Sequence, residues 1–413
     1  MPLDEAGRRA DAAVAALGLR AELRDAGGGR DPTAWWCALA DGGVPVACGM
    51  GKGGPGEARV GAVFEAVEHY LTGPARFDPA AVERAPPARI AAGPLRAEAC
   101  APLLAATPGR EMACLPYRSL DGGRTTLVPL FLFAPWYVEE GATGERERAG
   151  DDCDYSHLRR YSCNSGSAVG VTAAEALLHA LNEAIERDAL SLLLVRAFLG
   201  GRGPLPRPID PRTLPPGPAA AYAAAAEVTG SPVWLLDITS DLGVPAMLAY
   251  TPPAGDRPHR RGAGTSLSPA HAAWRALTEL VQVTLGESLI EGPASTRGDL
   301  GGLAAHPALH ACGRFDLTAY LAGVPATPFP GEPAPPGSPA EQARKIAALL
   351  AARGRTVYRR TACALPGEVT AVHVIVPGLE RFMVVTDGNL VLPGRRGMDA
   401  VNFTVRRHCR SAH

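Results

Sequence analysis

Three stretches of the sequence carry acidic residues at a spacing that can hold metal ions. Glu57–Tyr70 (EARVGAVFEAVEHY), Glu175–Asp188 (EALLHALNEAIERD) and His271–Val283 (HAAWRALTELVQV) align in register. The first two share an opening Glu-Ala, an alanine at 62 and 180, and the blocks Glu65-Ala-Val-Glu68 and Glu183-Ala-Ile-Glu186. The third keeps Ala272, Ala276 and Glu279, with Gln282 where the second acid stands. Residues i and i+3 share a helix face, so each E-x-x-E presents two carboxylates together. For one copy, a solvated face with local pairs such as Glu183–Arg187 is the plain reading. Three copies in register point instead to a cage of hard oxygens, whose natural occupants are Mg2+ ions bridging nucleotide phosphates.

Each copy follows a stretch rich in Gly and Ser: GMGKGGPG, CNSGSAVG and GAGTS. Read as loops feeding helix N-termini, these suit phosphate groups, because free N–H groups and the helix dipole point outward. Lys52 sits in the first, directly after the β-like run Val44–Ala47. Only Lys52 and Lys345 are lysines among the 41 basic residues, in a chain whose composition favours arginine wherever any cation serves. A lysine kept against that bias marks a place where the broad guanidinium does not fit, so Lys52 is expected to face a ligand. Lys345, in EQARKIAALLAARG, reads as the exposed side of an amphipathic helix. The first stretch also matches G-x-G-x-x-G. A dinucleotide fold would need an acid at the end of a second strand, whereas Glu65 and Glu68 fall in a helix. It is not a P-loop either, because Gly53 follows the lysine where Ser or Thr would bind magnesium.

Around these segments the sequence reads as an α/β chain with mixed sheets and packed helices. A helix is expected over Glu5–Leu17 and a strand in AWWCALA. Two further strands are expected within 232–250 around the turn Ser240–Gly243, and strands in VHVIVPG and RFMVVT between 372 and 386. The proline-rich stretches 204–218 and 325–339 cannot be helix interiors and read as surface connections. The division that follows is an N-terminal helix and strand segment (1–43), a catalytic domain (44–400) and a tail (401–413).

Composition narrows the function. The 413 residues carry a formal net charge of −1, which argues against a general nucleic-acid binder. The longest apolar run, Val128–Val138, contains two prolines and falls short of the ~20 residues a membrane span needs. The N-terminus mixes acids with arginines and has no apolar core, so it is not a signal peptide. Nine cysteines, none in a C-x-x-C pair, make neither a disulfide framework nor a zinc site. A cytoplasmic protein is expected.

In the order in which they occur, these motifs resemble the YcaO domain family. The residues that carry the resemblance are Gly51-Lys52-Gly53, FEAVEH, Cys163-Asn164-Ser165-Gly166, the run His179 to Asp188, and Arg275-Ala-Leu-Thr-Glu279-Leu-Val-Gln282. The match runs from about residue 44 to 290 and more weakly to 400. The resemblance implies a YcaO-like α/β fold with an ATP and Mg2+ site on these helices. It also implies a reaction in which ATP phosphorylates a backbone amide oxygen of a ribosomally made precursor peptide after a nucleophile attacks the carbonyl. The product would be an azoline, an amidine or a thioamide. By motif match, Glu65, Glu68, Glu183 and Glu186 would hold the magnesium ions. Lys52, Glu175, Arg187, Arg275, Glu279 and Gln282 would line the nucleotide site. The match names no catalytic base.

Three departures from the family pattern bear on the product. His69 stands where Arg is usual, and Gly61 where Ser is common. The end, RRHCRSAH, lacks the Pro-x-Pro-x-Pro of many azoline-forming members, which shifts weight toward macroamidine formation, thioamide formation or a divergent azoline former. No leader-binding winged-helix module is legible, so leader recognition is expected to need a partner protein or an unusual use of this domain, and a TfuA-type partner would accompany thioamide formation. A second copy of the chain is a further candidate partner. A catalytically silent scaffold and a small-molecule kinase are the competing readings. Cys163 reads as a buried thiol rather than a nucleophile, His179 as packing rather than a general base, and Trp35-Trp36 as core. His408 and Cys409 have no partner that spacing identifies.

Overall fold

A computed structural model describes all residues except 108–109, 202–204, 256, 288, 290–298, 332–336, 366, 368 and 402–413. The chain opens with α1 (Leu3–Ala16), β1 (Arg20–Asp25), β2 (Thr33–Asp41), β3 (Val44–Gly53) and α2 (Pro55–Thr72). Next come β4 (Glu83–Ala85), α3 (Pro87–Ala92), α4 (Ala101–Ala105), β5 (Met112–Ser119), β6 (Thr125–Pro129) and α5 (Thr143–Ala149). Strand β7 (Ser167–Gly170) leads into the long α6 (Ala173–Phe198). Then follow α7 (Pro216–Thr229), β8 (Trp234–Asp237), β9 (Ala246–Thr251), β10 (Arg260–Thr265) and α8 (Pro269–Gly286). The last elements are α9 (Pro307–Arg314), α10 (Thr318–Leu321), α11 (Pro339–Ala352), β11 (Tyr358–Ala364), β12 (Thr370–Ile375) and α12 (Arg395–Ala400).

One unit occurs three times: a helix, a three-stranded antiparallel meander, and a second helix laid against the last strand. The first is α1-β1-β2-β3-α2 and the second α7-β8-β9-β10-α8. In the third, α11-β11-β12 comes from late in the chain, while β7-α6, which completes it, comes from the middle. Each unit centres on an apolar cluster, and that of the first takes in Val169, Val369 and Ala371 of the third. Ala13, Leu39 and Ala62 meet in the first, Ala221, Leu235 and Ala276 in the second, and Leu181, Val372 and Ile346 in the third.

Close packing of the last strand on its helix requires glycine. A Cβ on Gly51 would lie 1.8 Å from Ala58 O and 2.3 Å from Ala62 N. One on Gly264 would meet the matching atoms of α8, Ala272 O at 2.2 Å and Ala276 N at 2.8 Å. Gly49 and Gly262 repeat the relation one turn further on, against Ala62/Ala66 and Ala276/Leu280. Since strand residues alternate faces, glycines on the helix side leave Met50 and Lys52 pointing the other way. There β3 touches α8, just as β10 touches α6 and β7 touches α2. The three strand–helix pairs therefore close into a ring.

This corrects one expectation. The stretches GMGKG and GAGT are not loops but the ends of β3 and β10, and SAVG is β7. Their glycines serve helix packing rather than turn formation. A second correction concerns RFMVVT, which forms a buried 3-10 helix over Phe382–Asp387 instead of a strand. Its hydrogen bonds run locally, as from Val384 N–H to Arg381 O, and Met383 N–H donates to Ser191 Oγ on α6. The helix α1, the strand around AWWCALA and the two strands flanking 240–243 are observed. The proline stretch 204–218 ends in the first turn of α7, where Pro216 and Pro218 cost no hydrogen bond. The tail motif, His408 and Cys409 lie outside the described residues. Among those described, no helix is long and apolar enough to cross a membrane.

Gly262→Ala is expected to destabilise by about 2 kcal/mol or more, because even a methyl group meets α8 backbone. Gly61→Ala adds a carbon that finds only Gly51 Cα at 3.5 Å. That variant is expected to be neutral or more stable by up to about 1 kcal/mol. Thermal unfolding of the two variants checks both; equal melting temperatures would refute the packing argument.

Candidate functional site

The ring turns the acidic faces of α2, α6 and α8 toward one another, and backbone atoms of the strands hold them there. The first acid of a pair bonds within its own unit: Met50 N–H donates to Glu65 at 2.8 Å, and Gly166 N–H to Glu183 at 3.3 Å. The second position reaches the neighbouring unit. Glu68 accepts from Val169 N–H at 3.2 Å, and Gln282 Nε2 donates to Met50 O. Lys52, next along β3, pairs with Glu279 one turn before Gln282. Arg187 bonds Glu183 across one turn at 3.1 Å. Glu186 makes no hydrogen bond or ion pair among the described residues, although only 8% of it is exposed.

The electrostatics follow from five carboxylates facing three cations in a partly buried cleft. Burial, with the charges of Glu183 and Glu65, holds Glu68 well above the usual carboxylate range. Burial and the neighbouring Glu279 push Glu186 up to about 7. Burial raises Glu65 as well. Glu279 goes the other way: burial opposes its charge, but Lys52 and Arg187 outweigh it and hold the carboxyl low. Desolvation works against the Arg187 cation, yet Glu183, Glu186 and Glu279 keep it firmly charged. Such unequal carboxylates within one cleft are a mark of functional sites.

Not every expected residue sits alike. Lys52, Glu65, Glu68, Glu183, Glu186, Arg187, Glu279 and Gln282 converge. Arg275 Nη2 lies 3.5 Å from His179 Nε2, at the rim. Glu175 stands apart at the start of α6, one turn from His179, with the Met1 amino group 3.5 Å away. Enclosing protein, then the cations Arg275 and Lys52, lower the His179 pKa to about 3. The imidazole is therefore neutral at pH 7. Burial pushes the Cys163 thiol up, so it is no activated thiolate.

Sequence reading missed the groups behind these side chains. Tyr117 OH donates to His373 Nδ1 at 2.7 Å, and His373 Nε2 donates to Ser165 O at 2.9 Å, which sets the imidazole tautomer. Ser165 precedes Gly166, whose φ of +87° and whose contact with Val374 O leave no room for a side chain. A chain of hydrogen bonds thus runs from the sheet interior to Glu183. Nothing in a single sequence joins Tyr117 to His373.

Among the described residues, no three carboxylate, imidazole or thiol groups converge closely enough to hold an ion by protein ligands alone. The cleft does show unmet polar capacity. Among the described residues, Arg187 Nε, Asn182 Oδ1, Asn164 Oδ1, Ser162 Oγ and Ser167 Oγ are buried without a partner. Buried polar atoms are rarely left so, and a polar, charged ligand fits this donor and acceptor set.

Comparison with known proteins agrees with this geometry. The profile of the family described as YcaO cyclodehydratase, ATP- and Mg2+-binding, matches residues 50–380. The chain belongs to the YcaO family, whose cofactors are ATP and Mg2+. Its fold is that of YcaO from Methanopyrus kandleri bound with AMPPCP and Mg2+, at a TM-score of 0.63 and 19% identity, covering 95% of this chain and 94% of that one. A heterocyclase in complex with substrate and cofactor gives a TM-score of 0.63 at 17% identity, over 92% of this chain and 53% of that one. An uncharacterised protein from the tfuA 3′ region of Rhizobium leguminosarum bv. trifolii is 30% identical over 295 residues, 65% of this chain and 62% of that protein. The chain spans about three-fifths of the length of the curated relatives it matches.

The buried His373 yields a prediction. Burial lowers its pKa from 6.5 to about 3. Between those values the unfolded chain binds a proton that the folded chain does not, so stability falls as pH drops from 6.5 toward 3. The slope for one such group is about 1.4 kcal/mol per pH unit. Denaturant unfolding at pH 7 and 5 is expected to show a smaller loss for His373→Gln than for the natural chain. Equal losses would mean that the imidazole is not held neutral.

Proposed function

We propose that the chain is an ATP- and Mg2+-dependent enzyme that activates a peptide backbone amide by O-phosphorylation. The reaction would belong to maturation of a ribosomally made peptide and would give an azoline or macroamidine. The observation that carries this reading is the meeting of three acidic helices with Lys52 and Arg187 in a chain of the YcaO family. Glu65, Glu68, Glu183 and Glu186 are the proposed magnesium ligands. Lys52, Glu175, Arg187, Arg275, Glu279 and Gln282 are the proposed nucleotide contacts. ATP supplies the phosphoryl group that turns an amide oxygen, a poor leaving group, into a good one.

The chain's own residues supply charge and position. The carboxylates stand too far apart to trap an ion unaided, which suits ions that share oxygens with phosphates. Glu186, which has no hydrogen bond or ion pair among the described residues, is the acid most available to an ion. Lys52 pairs with Glu279 and Arg187 with Glu183, which leaves Glu65, Glu68 and Glu186 without an ion-pair partner among the described residues. Neutral His179 leaves the rim without a third fixed positive charge beside Arg275 and Lys52.

A second reading concerns the product. The relative from a tfuA 3′ region favours thioamide formation with a TfuA-type partner. Mass spectrometry separates the two. A peptide incubated with the chain, ATP and Mg2+ would lose one water in the first case. In the second, with sulfide and the partner present, it would exchange one oxygen for sulfur.

Calorimetric titration with ATP tests the site directly. Binding is expected to require Mg2+, to vanish on chelation, and to weaken at least ~10-fold in Glu186→Gln. That factor corresponds to the loss of about 1.4 kcal/mol. Equal Mg2+-dependent affinity in the variant would remove Glu186 from the site. Absence of binding in the natural chain would overturn the nucleotide reading.

A further inference from the structure

We propose that a basic groove at the opposite end of the large sheet from β7 binds an extended, acidic peptide segment. The groove is a cavity of about 790 Å³ between β4 and α3 on one side and β5, β6 and β11 on the other. Arg89, Arg118, Arg359 and Arg360 line it, with Glu83 as the one carboxylate among the lining residues. It is independent of the nucleotide cleft and of the reaction proposed for it.

Charge is the first argument. Arg118 and Arg359 stand directly opposite each other in the β5–β11 ladder. Like charges in register on neighbouring strands repel and destabilise a sheet. Nearby, Arg124 in the turn after β5 pairs with Asp121, and Arg260 at the start of β10 pairs with Glu287. None of the four groove arginines makes an ion pair or side-chain hydrogen bond among the described residues. A repulsion left uncompensated inside a concavity is relieved by an anionic ligand.

The backbone is the second argument, and it selects a peptide. Cys114 pairs with both Glu83 and Pro129, and Arg118 with both Arg359 and Thr125. Strand β6 therefore takes one edge of β5, while β4 and β11 share the other. On that shared edge β4 covers only 112–114 and β11 only 118–119, so Leu115–Tyr117 have no strand partner there. Beyond Arg359, β11 diverges and pairs only with β12. Splayed strands leave two edges that a third can join by main-chain hydrogen bonds, with alternate side chains entering the groove. Leu127 and Pro116, cross-strand neighbours in the floor, offer apolar contact between the arginines.

A fluorescein-labelled octapeptide of alternating Glu and Val is the probe, with a Lys-Val octapeptide as control, read by anisotropy on the full chain at low salt. The Glu-Val peptide is expected to bind, to weaken as salt rises, and to outcompete the Lys-Val peptide. In R118S/R359S its affinity is expected to fall roughly tenfold. The melting temperature of that variant should stay level or rise, because the repulsion is gone. No binding to the natural chain, equal binding of the two peptides, or unchanged affinity in the variant would each overturn the proposal. So would displacement by tripolyphosphate at lower concentration than by unlabelled Glu-Val peptide, which would make the groove a phosphate site.

Discussion

The approach of a glycine-bearing strand to an alanine-bearing helix is the contact on which the rest of this protein depends. Removing Cβ atoms from Gly49, Gly51, Gly262 and Gly264 lets strand and helix backbones meet at distances no other residue allows. Two consequences follow at once. The helix is fixed in rotation, so its acidic positions cannot slide out of the cleft. The opposite face of the same strand is freed for the next helix, which is how β3 comes to bear Met50 and Lys52 toward α8. A strand with side chains on both faces would keep the helices apart, and the carboxylates would never meet.

Given that geometry, the electrostatics are a matter of unequal compensation. Met50 N–H, Val169 N–H, Gly166 N–H, Lys52 and Arg187 serve Glu65, Glu68, Glu183 and Glu279. Glu186 is left over, and its carboxyl alone is pushed up to about 7 without a protein partner. Deeper along α6, by contrast, Asp188 is wholly buried and fully served: Arg396 donates to it at 2.7 Å and Glu380 N–H at 2.9 Å. Removing one member of such a buried pair commonly costs several kcal/mol. The same helix thus carries an acid that is satisfied by protein and an acid that is not. Only the second is open to a ligand.

How much of this was legible depended on periodicity. The in-register acids, the alanines beside them and the isolated Lys52 are local patterns, and the structure brings eight of the ten expected site residues into one cleft. Glycine was misjudged, because the same residue that makes turns also permits close packing, and local spacing does not distinguish the two. RFMVVT misled for a related reason: a short apolar run is equally at home in a buried strand or a buried helix. The ring itself, the Tyr117–His373 link and the opposition of Arg118 to Arg359 join residues far apart in the chain. No local pattern encodes them.

The third unit has its halves separated by the whole of the second. Thr370 must find Gly170, two hundred residues earlier, before β7 has its strand neighbour and α6 its sheet. Closing so long a loop is entropically costly and slow, and contacts of this separation form late. During synthesis the strands and helices of the first and second units can pair as soon as α2 and α8 emerge, while Val169, Val369 and Ala371 complete the core of the first only later. The cleft between them stays open on one side until β12 leaves the ribosome. Its carboxylates are therefore assembled last, in a chain already largely folded, and any shorter nascent chain carries the acids without the site.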